Sequence, residues 1–389
     1  MYGFTVFFLP LSHDLGLSRT ATSLVFSLAR AEGALEGPVA GYFIDRLGPR
    51  PVMVIGVIMS GVGYMLLSGV NSFFTFLLVY MGIISLGFAA GFMHSPMVLA
   101  NTWFIRRRAL AMTLVSASVG LGGALVAPLL AMAVHAWGWR RAALLAGLGL
   151  LTIGLPLVSL VRRSPESMGL LPDGDPPYKP RRASSPETSP SSWSSKKEDF
   201  TVTEAMRTPA YWLLILATLF RVACLSSVLV HFIPIMVWKG IPEHRAAVLL
   251  GIFALLTLPT HFMLGWMADF LNKPRLMALS MLVPSGALLV LTYGQSEWSL
   301  WLFTALFTVP ESIFPVSWAT VGDFFGRRYF ATIRGSMSFF YMWGTVAGPV
   351  VAGAIYDRTQ SYSSLLSALA LLFLVAALLY ALLVEPSRQ

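Results

Sequence analysis

Charged residues are scarce in this sequence: Asp, Glu, Lys and Arg make up 12% of its 389 residues, about half the share of an ordinary soluble domain. That scarcity excludes a soluble globular enzyme. Cysteine is almost missing, with Cys224 alone inside an apolar run, so neither a disulfide framework nor a cysteine-based zinc site is expected. His94, His231 and His261 each lack a second ligand three or four residues along, so they read as interhelical hydrogen-bonding histidines, with proton relay as the alternative, and no metal or cofactor is expected. There is no HExxH, no GxSxG and no nucleotide-binding glycine loop in context, and GLGLLT at Gly147 lies inside an apolar run; an enzyme is not expected. Acidic residues are fewer than basic ones, 18 against 27, for a net charge of +9, yet no exposed Lys/Arg-rich domain exists to bind nucleic acid. The N-terminus lacks the basic flank and small-residue cleavage site of a secretory signal, so its first apolar stretch is expected to stay in the mature chain.

Apolar residues supply the rest, 56% of the chain with a mean hydropathy of +0.72. Nearly uncharged runs give twelve expected spans at 1–12, 20–44, 51–70, 73–99, 110–134, 141–161, 209–237, 246–268, 276–294, 298–321, 331–356 and 361–384. At 1.5 Å per residue the first would be about 18 Å long against a hydrocarbon core of about 30 Å, so it reads as a truncated helix. Arg19, Arg140, Arg141, Lys239, Arg245 and Arg358 fall on one side; Arg30 and Arg221 lie inside spans; the remaining basic residues, Arg334 among them, fall on the other side. The positive-inside rule makes that richer side cytoplasmic, with the 162–206 segment and the C-terminus. The stretch PRRASSPETSPSSWSS cannot bury enough apolar surface to fold alone, so 162–206 reads as a flexible linker between bundles at 1–161 and 207–389.

The two halves repeat each other. GYFIDRLGPR at Gly41 recurs as GWMADFLNKPR at Gly265, an offset of 265 − 41 = 224, and WFIRRRALA at Trp103 recurs as DFFGRRYFA at Asp323, an offset of 323 − 103 = 220. Both pairs follow the second and fourth spans of their half, an arrangement expected of a secondary transporter.

These motifs resemble those of the major facilitator superfamily, whose cytoplasmic loop signature is similar to GYFIDRLGPR. GFTVFFLPLSHDLGLSRTATS at Gly3, WFIRRRALAM at Trp103 and RRSPESMGLLPDGD at Arg162 resemble its monocarboxylate-transporter-like group, which includes oxalate/formate antiporters. The resemblance implies an all-α integral membrane protein of two pseudo-symmetric six-helix bundles, in which the seventh and tenth helices line a central cavity. It also implies that Gly41, Asp45, Arg46, Gly48, Arg50, Asp269 and Arg275 gate the cytoplasmic side. Members that carry carboxylates place an arginine in helix eight, and oxalate carriers a lysine in helix eleven; here Leu249 to Ala268 and Gly335 to Tyr356 hold neither.

Ionisable groups at bilayer depth cost about 3 kcal/mol on insertion scales and face a cavity or a partner. Counting 1.5 Å per residue from the loops, Glu32, Arg221 and Glu311 each lie about 17 to 20 Å deep. Arg221 offers a two-point fork for a carboxylate, or a buried ion pair with Glu32 or Glu311. Glu311 stands between Pro310 and Pro315, which predicts an interrupted helix around the carboxylate, suited to binding or proton coupling. Glu32 and Glu36 share one helix face and titrate as a unit, either as a proton site or as structural partners of Arg30 or Arg221. Gly33, Gly37 and Gly41 form a small-residue stripe for close helix packing.

Together these residues point to a monomeric, proton-coupled carrier of a small organic solute of monocarboxylate type in a bacterial inner membrane. Arg221 and Glu311 form its expected binding site, and Glu32, Glu36 and Glu311 its expected proton-coupling groups. An efflux antiporter for apolar compounds and a transport-inactive sensor of the same fold are the alternatives.

Overall fold

The computed structural model describes residues 7, 10, 11, 14–16, 19–175 and 199–386; most of the expected first span lies outside these residues. Among the described residues the chain is helical without strands, and nine helices are long and apolar enough to cross a membrane. The first half holds α1 (Arg19–Leu47), α2 (Pro49–Leu67), α3 (Phe73–Trp103) and α4 (Arg108–Ser159). α4 is two spans joined at Gly138, whose φ of 78° breaks the helix where a turn was expected. A short α5 (Val202–Met206) ends the linker, and the second half continues with α6 (Pro209–Val230), α7 (Phe232–Trp238), α8 (Glu243–Phe270) and α9 (Lys273–Tyr293). Then come α10 (Glu297–Leu306), α11 (Val309–Ser312) and α12 (Phe314–Phe325), and finally α13 (Phe330–Thr359) and α14 (Ser363–Ala381).

Local chemistry sets several of these starts. Gly48 takes φ 92° and Pro49 stands at the head of α2, so the turn that the GYFIDRLGPR signature requires falls on the residue able to make it. Ser72 and Thr75 form a capping box ahead of α3, Thr208 caps α6, and Asn272 caps α9. The expected break in the tenth span is present: Glu297–Phe325 runs as three pieces, with Phe307 and Thr308 separating α10 from α11 and Ile313 separating α11 from α12. Pro310 and Pro315 have no N–H for the carbonyls four residues back, at Leu306 and Glu311, and their rings crowd those carbonyls.

The halves meet chiefly through α1 against α13 and through α4 against α8. The glycine stripe carries the first crossing. Gly33 faces Met342, Gly37 faces Ser338 and Gly335, and Gly41 faces the backbone of Ala331 and Thr332, so the two helices run antiparallel with their backbones nearly touching. A Cβ on Gly335 would land on the carbonyl oxygen of Gly37. In the second crossing Gly265 sits on the side chain of Thr113. Among the described residues, every hydrogen bond and ion pair that links the two halves lies at the end of the bundle that carries the linker.

The linker's described ends are held, which corrects a uniformly flexible reading of 162–206. Asp173 accepts from the backbone N–H groups of Ile105 and Arg106, and Asp175 pairs with Arg106 at 2.6 Å. Asp199 accepts from the N–H groups of Arg327 and Arg328. Thr201 and Glu204 close a capping box that starts α5, a T-x-x-E signal visible in the sequence.

Gly335→Val is expected to wedge α13 away from α1. Pulsed electron-spin distances between labels at the exposed positions Arg50 and Arg275 should lengthen relative to the parent protein.

Candidate functional site

Arg221 sits midway along α6 and is only 1% exposed. One guanidinium nitrogen donates to the carbonyl oxygen of Pro310 at 2.5 Å, while Nε and the other terminal nitrogen have no hydrogen-bond partner. The interrupted tenth span thus brings its backbone to the arginine, and Glu311 is the next residue. Arg221 and Glu311 are neighbours through Pro310 but form no ion pair; among the described residues no carboxylate lies within ion-pair distance of Arg221. The expected structural pairing of Arg221 with Glu32 or Glu311 is therefore not made.

A second buried guanidinium, Arg334, was hidden from sequence reasoning. It is 5% exposed, on the first turns of α13, with Cζ 3.6 Å from the Trp318 ring centroid, 5.0 Å from Tyr341 and 5.8 Å from Phe314. One terminal nitrogen has no partner, and Arg334 lies close enough to Arg221 for the two charges to repel. Counting it with the loop-side charges hid it, although the expected span 331–356 contains it; α13 begins at Phe330, so the eleventh span does carry a buried cation. On the far side of this cluster His94 of α3 stacks on Trp318, ring centroids 6.1 Å apart, across the two halves. Of the other histidines, His231 joins α6 to Tyr362 and to the Pro349 carbonyl, as expected of an interhelical histidine. His261 bonds the carbonyl of Thr257 on its own helix.

On the first half, Glu32 and Glu36 share a face of α1 and feel each other's charge, with Ser85 beside Glu32. Glu36 is 7% exposed, and one carboxylate oxygen of each acid is buried without a partner. The side chain of Arg30 lies outside the described residues. Ser85 and His94 both lie in π-helical stretches of α3, Tyr80–Ser85 and Ala89–His94, a local widening frequent at functional sites.

The gating set is partly brought together. Asp45 accepts from the N–H groups of Ala331 at 3.2 Å and Thr332 at 2.7 Å, and from the Thr332 hydroxyl at 2.6 Å. Asp269 accepts from Ala109 at 2.9 Å and Leu110 at 3.1 Å. The acids are 269 − 45 = 224 residues apart and their partners 331 − 109 = 222 apart, so the sequence repeat is also a repeat of contacts. Neither α4 nor α13 has a side-chain cap of its own; each takes its cap from the opposite half, where the carboxylate also meets the positive end of the helix dipole.

Arg46, Arg50 and Arg275 do not reach across, contrary to expectation. Arg46 bonds Tyr42 on its own helix, Arg50 is exposed, and Arg275 contributes its backbone N–H to Asn272. The cation that reaches across is instead Arg108, which holds Asp323 at 2.5 Å; Lys273, in the same half as Asp323, holds that acid at 2.7 Å. Arg327 adds bonds to the Thr102 carbonyl and to Glu166. Partial burial pushes the Glu166 carboxyl up, but its own N–H, Ser164 and Arg327 outweigh that and hold it below the ordinary carboxylate range, so this tie persists until well into acid.

Comparison with known proteins follows the same lines. The sequence profile described as Major Facilitator Superfamily matches residues 1–309. Monocarboxylate transporter 12-B of Danio rerio is 23% identical over 399 residues, covering 97% of this chain and 83% of the relative. The oxalate:formate antiporter of Oxalobacter formigenes is 27% identical over 220 residues, covering 55% of this chain and 46% of that protein. Among solved structures, a transporter described as FucP in the outward conformation superposes with a TM-score of 0.72 at 13% identity, covering 97% of each chain. The human organic anion transporter MFSD10 superposes with 0.64 at 18% identity, covering 97% of this chain and 89% of that one. At such identities these likenesses show the fold alone.

Asp323→Asn removes the shared acid of Arg108 and Lys273 and strands a buried guanidinium, so it is expected to cost about 1–3 kcal/mol of stability. Arg275→Ala should leave stability within about 0.5 kcal/mol, as for surface positions generally. Unfolding of the purified protein in detergent measures both.

Proposed function

The chain belongs to the Major Facilitator Superfamily of membrane transporters, and from that premise we propose a secondary active transporter that moves a small organic anion of monocarboxylate type, coupled to protons. The family and the named relatives are membrane transporters rather than enzymes. The observation that carries the cargo assignment is the buried Arg221, held by one backbone carbonyl and paired with no acid among the described residues. An uncompensated guanidinium in hydrocarbon is costly, and its planar fork matches a carboxylate in two-point fashion. Arg334, in its aromatic surroundings, adds a second positive charge to the same region. The named relatives, monocarboxylate transporters and an oxalate:formate antiporter, support a carboxylate cargo.

Glu311, or the Glu32 and Glu36 pair, takes the coupled proton. The linker end is the cytoplasmic end, and its contacts through Asp45, Asp269 and Asp323 are those of the state open to the other side. Gly41 and Gly48 serve there by permitting the close crossing and the turn. Alternating access then exchanges these contacts for a closure at the opposite end, as the bundles 1–161 and 207–389 rock about the site. The membrane is a bacterial inner membrane, and the carrier works as a monomer.

Proteoliposomes loaded at neutral pH and placed in acid medium should accumulate a labelled monocarboxylate, and a protonophore should abolish the accumulation. Arg221→Lys should lower uptake by about tenfold or more, the scale of one charged two-point contact, with an unchanged melting temperature. Carboxylate binding without flux, or full uptake by Arg221→Lys, would contradict this assignment.

A further inference from the structure

Polar side chains meet at mid-span between α8 and the broken tenth span, where two membrane helices would otherwise pack apolar residues. Thr260 Oγ1 lies 3.1 Å from Thr308 Oγ1, and Ser312 donates to the Thr257 carbonyl at 3.3 Å. His261 is 7% exposed, and its Nδ1 is 3.0 Å from that same carbonyl. The half-buried carboxylate of Glu311 lies within electrostatic reach of the imidazole. Both helices carry prolines at this level, Pro259 in α8 and Pro310 and Pro315 beside Glu311.

A carbonyl oxygen can only accept, so Nδ1 must carry a hydrogen and Nε2 is left with the lone pair. The tautomer is thereby fixed by the fold. Nε2 is the one imidazole position that can take an additional proton, and Glu311 supplies the neighbouring negative charge.

We propose that the His261–Glu311 pair holds the coupled proton, with the Thr257 carbonyl as the positioning group that aims Nε2; this rests on the proton-coupled carboxylate transport proposed above. The pair without the coupled proton carries one negative charge, on Glu311, and the pair with that proton on Nε2 carries none. Pro310, adjacent to Glu311, is the residue whose carbonyl holds Arg221. A net negative charge there opposes an incoming anion, and a proton cancels it. Proton and anion therefore raise each other's affinity by the same factor, the sign needed for symport. The charged groups near the pair are Arg221, through Pro310, and Arg334, which lies near Arg221; α4, which packs on α8, presents Thr113 to it at Gly265, nearer the linker end.

The test uses the full chain, reconstituted for transport and in detergent for binding. His261→Gln keeps a donor for the Thr257 carbonyl but cannot take a proton. It should lose accumulation driven by a proton gradient while retaining exchange of labelled for unlabelled carboxylate, and the pH dependence of exchange should flatten. In unbuffered solution the parent protein should take up about one proton per carboxylate bound, and His261→Gln none. Glu311→Gln should also abolish the proton uptake, which keeps the test available if the histidine variant does not fold. Proton uptake and gradient-driven accumulation at parental levels in His261→Gln would overturn the assignment while leaving the transport reading intact. Absence of carboxylate transport in the parent would instead remove the wider reading on which it rests.

Discussion

A positive charge sealed inside hydrocarbon has to be answered by something, and in this molecule two of them are answered only in part. Arg221 has one backbone carbonyl and Arg334 a set of aromatic faces, and neither has a carboxylate among the described residues. The acids of the same depth are equally short of partners: Glu32 and Glu36 each keep a buried oxygen unpaired on the first half. Buried pairs that served packing alone would have brought these charges into contact, because removing one partner from such a pair costs several kcal/mol. Leaving these cations and acids unpaired keeps the interior poised for a charged cargo, and the freed backbone of the broken tenth span reaches the arginine.

The linker end solves the opposite problem. There the charges are fully used: Asp45 and Asp269 complete the starts of two helices in the other half, and Asp323 serves two cations at once. All of these bonds except Lys273–Asp323 cross between halves, so each of those must break if that end is to open. Individually they are worth about 1 kcal/mol, and together they form a cooperative but reversible closure, backed by the glycine crossing of α1 and α13. An interface built from caps and short polar contacts can come apart without exposing a large apolar core, as a carrier that alternates between two states requires.

Much of this was legible in the sequence. The apolar runs gave the later spans, the paired prolines gave the break around Glu311, the glycines at 33, 37 and 41 gave the crossing, and the repeat placed Asp45 and Asp269 at equivalent positions. What escaped has one physical cause. The starts of α4 and α13 carry no caps of their own, because their caps come from residues hundreds of positions away in the other half. Without a local start signal, Arg108 read as a loop residue; Arg334, inside the expected span 331–356, was counted with the loop-side charges, so the eleventh span was read as lacking a cation. Arg46, Arg50 and Arg275 erred the other way: charge near a signature loop suggested cross-half pairs, but long side chains on exposed turns have water as an easier partner. The linker's held ends depend on Asp173, Asp175 and Asp199 finding loops that only the folded bundle brings near.

The most direct measurement compares ligands that differ in charge and little in shape. The melting temperature of the purified transporter should rise with increasing concentrations of small carboxylates, by RT ln(1 + [L]/Kd) in free energy, and stay unchanged with the isosteric neutral amides. Equal stabilisation by acids and amides, or stabilisation by apolar compounds alone, would contradict a buried guanidinium kept for an anionic cargo.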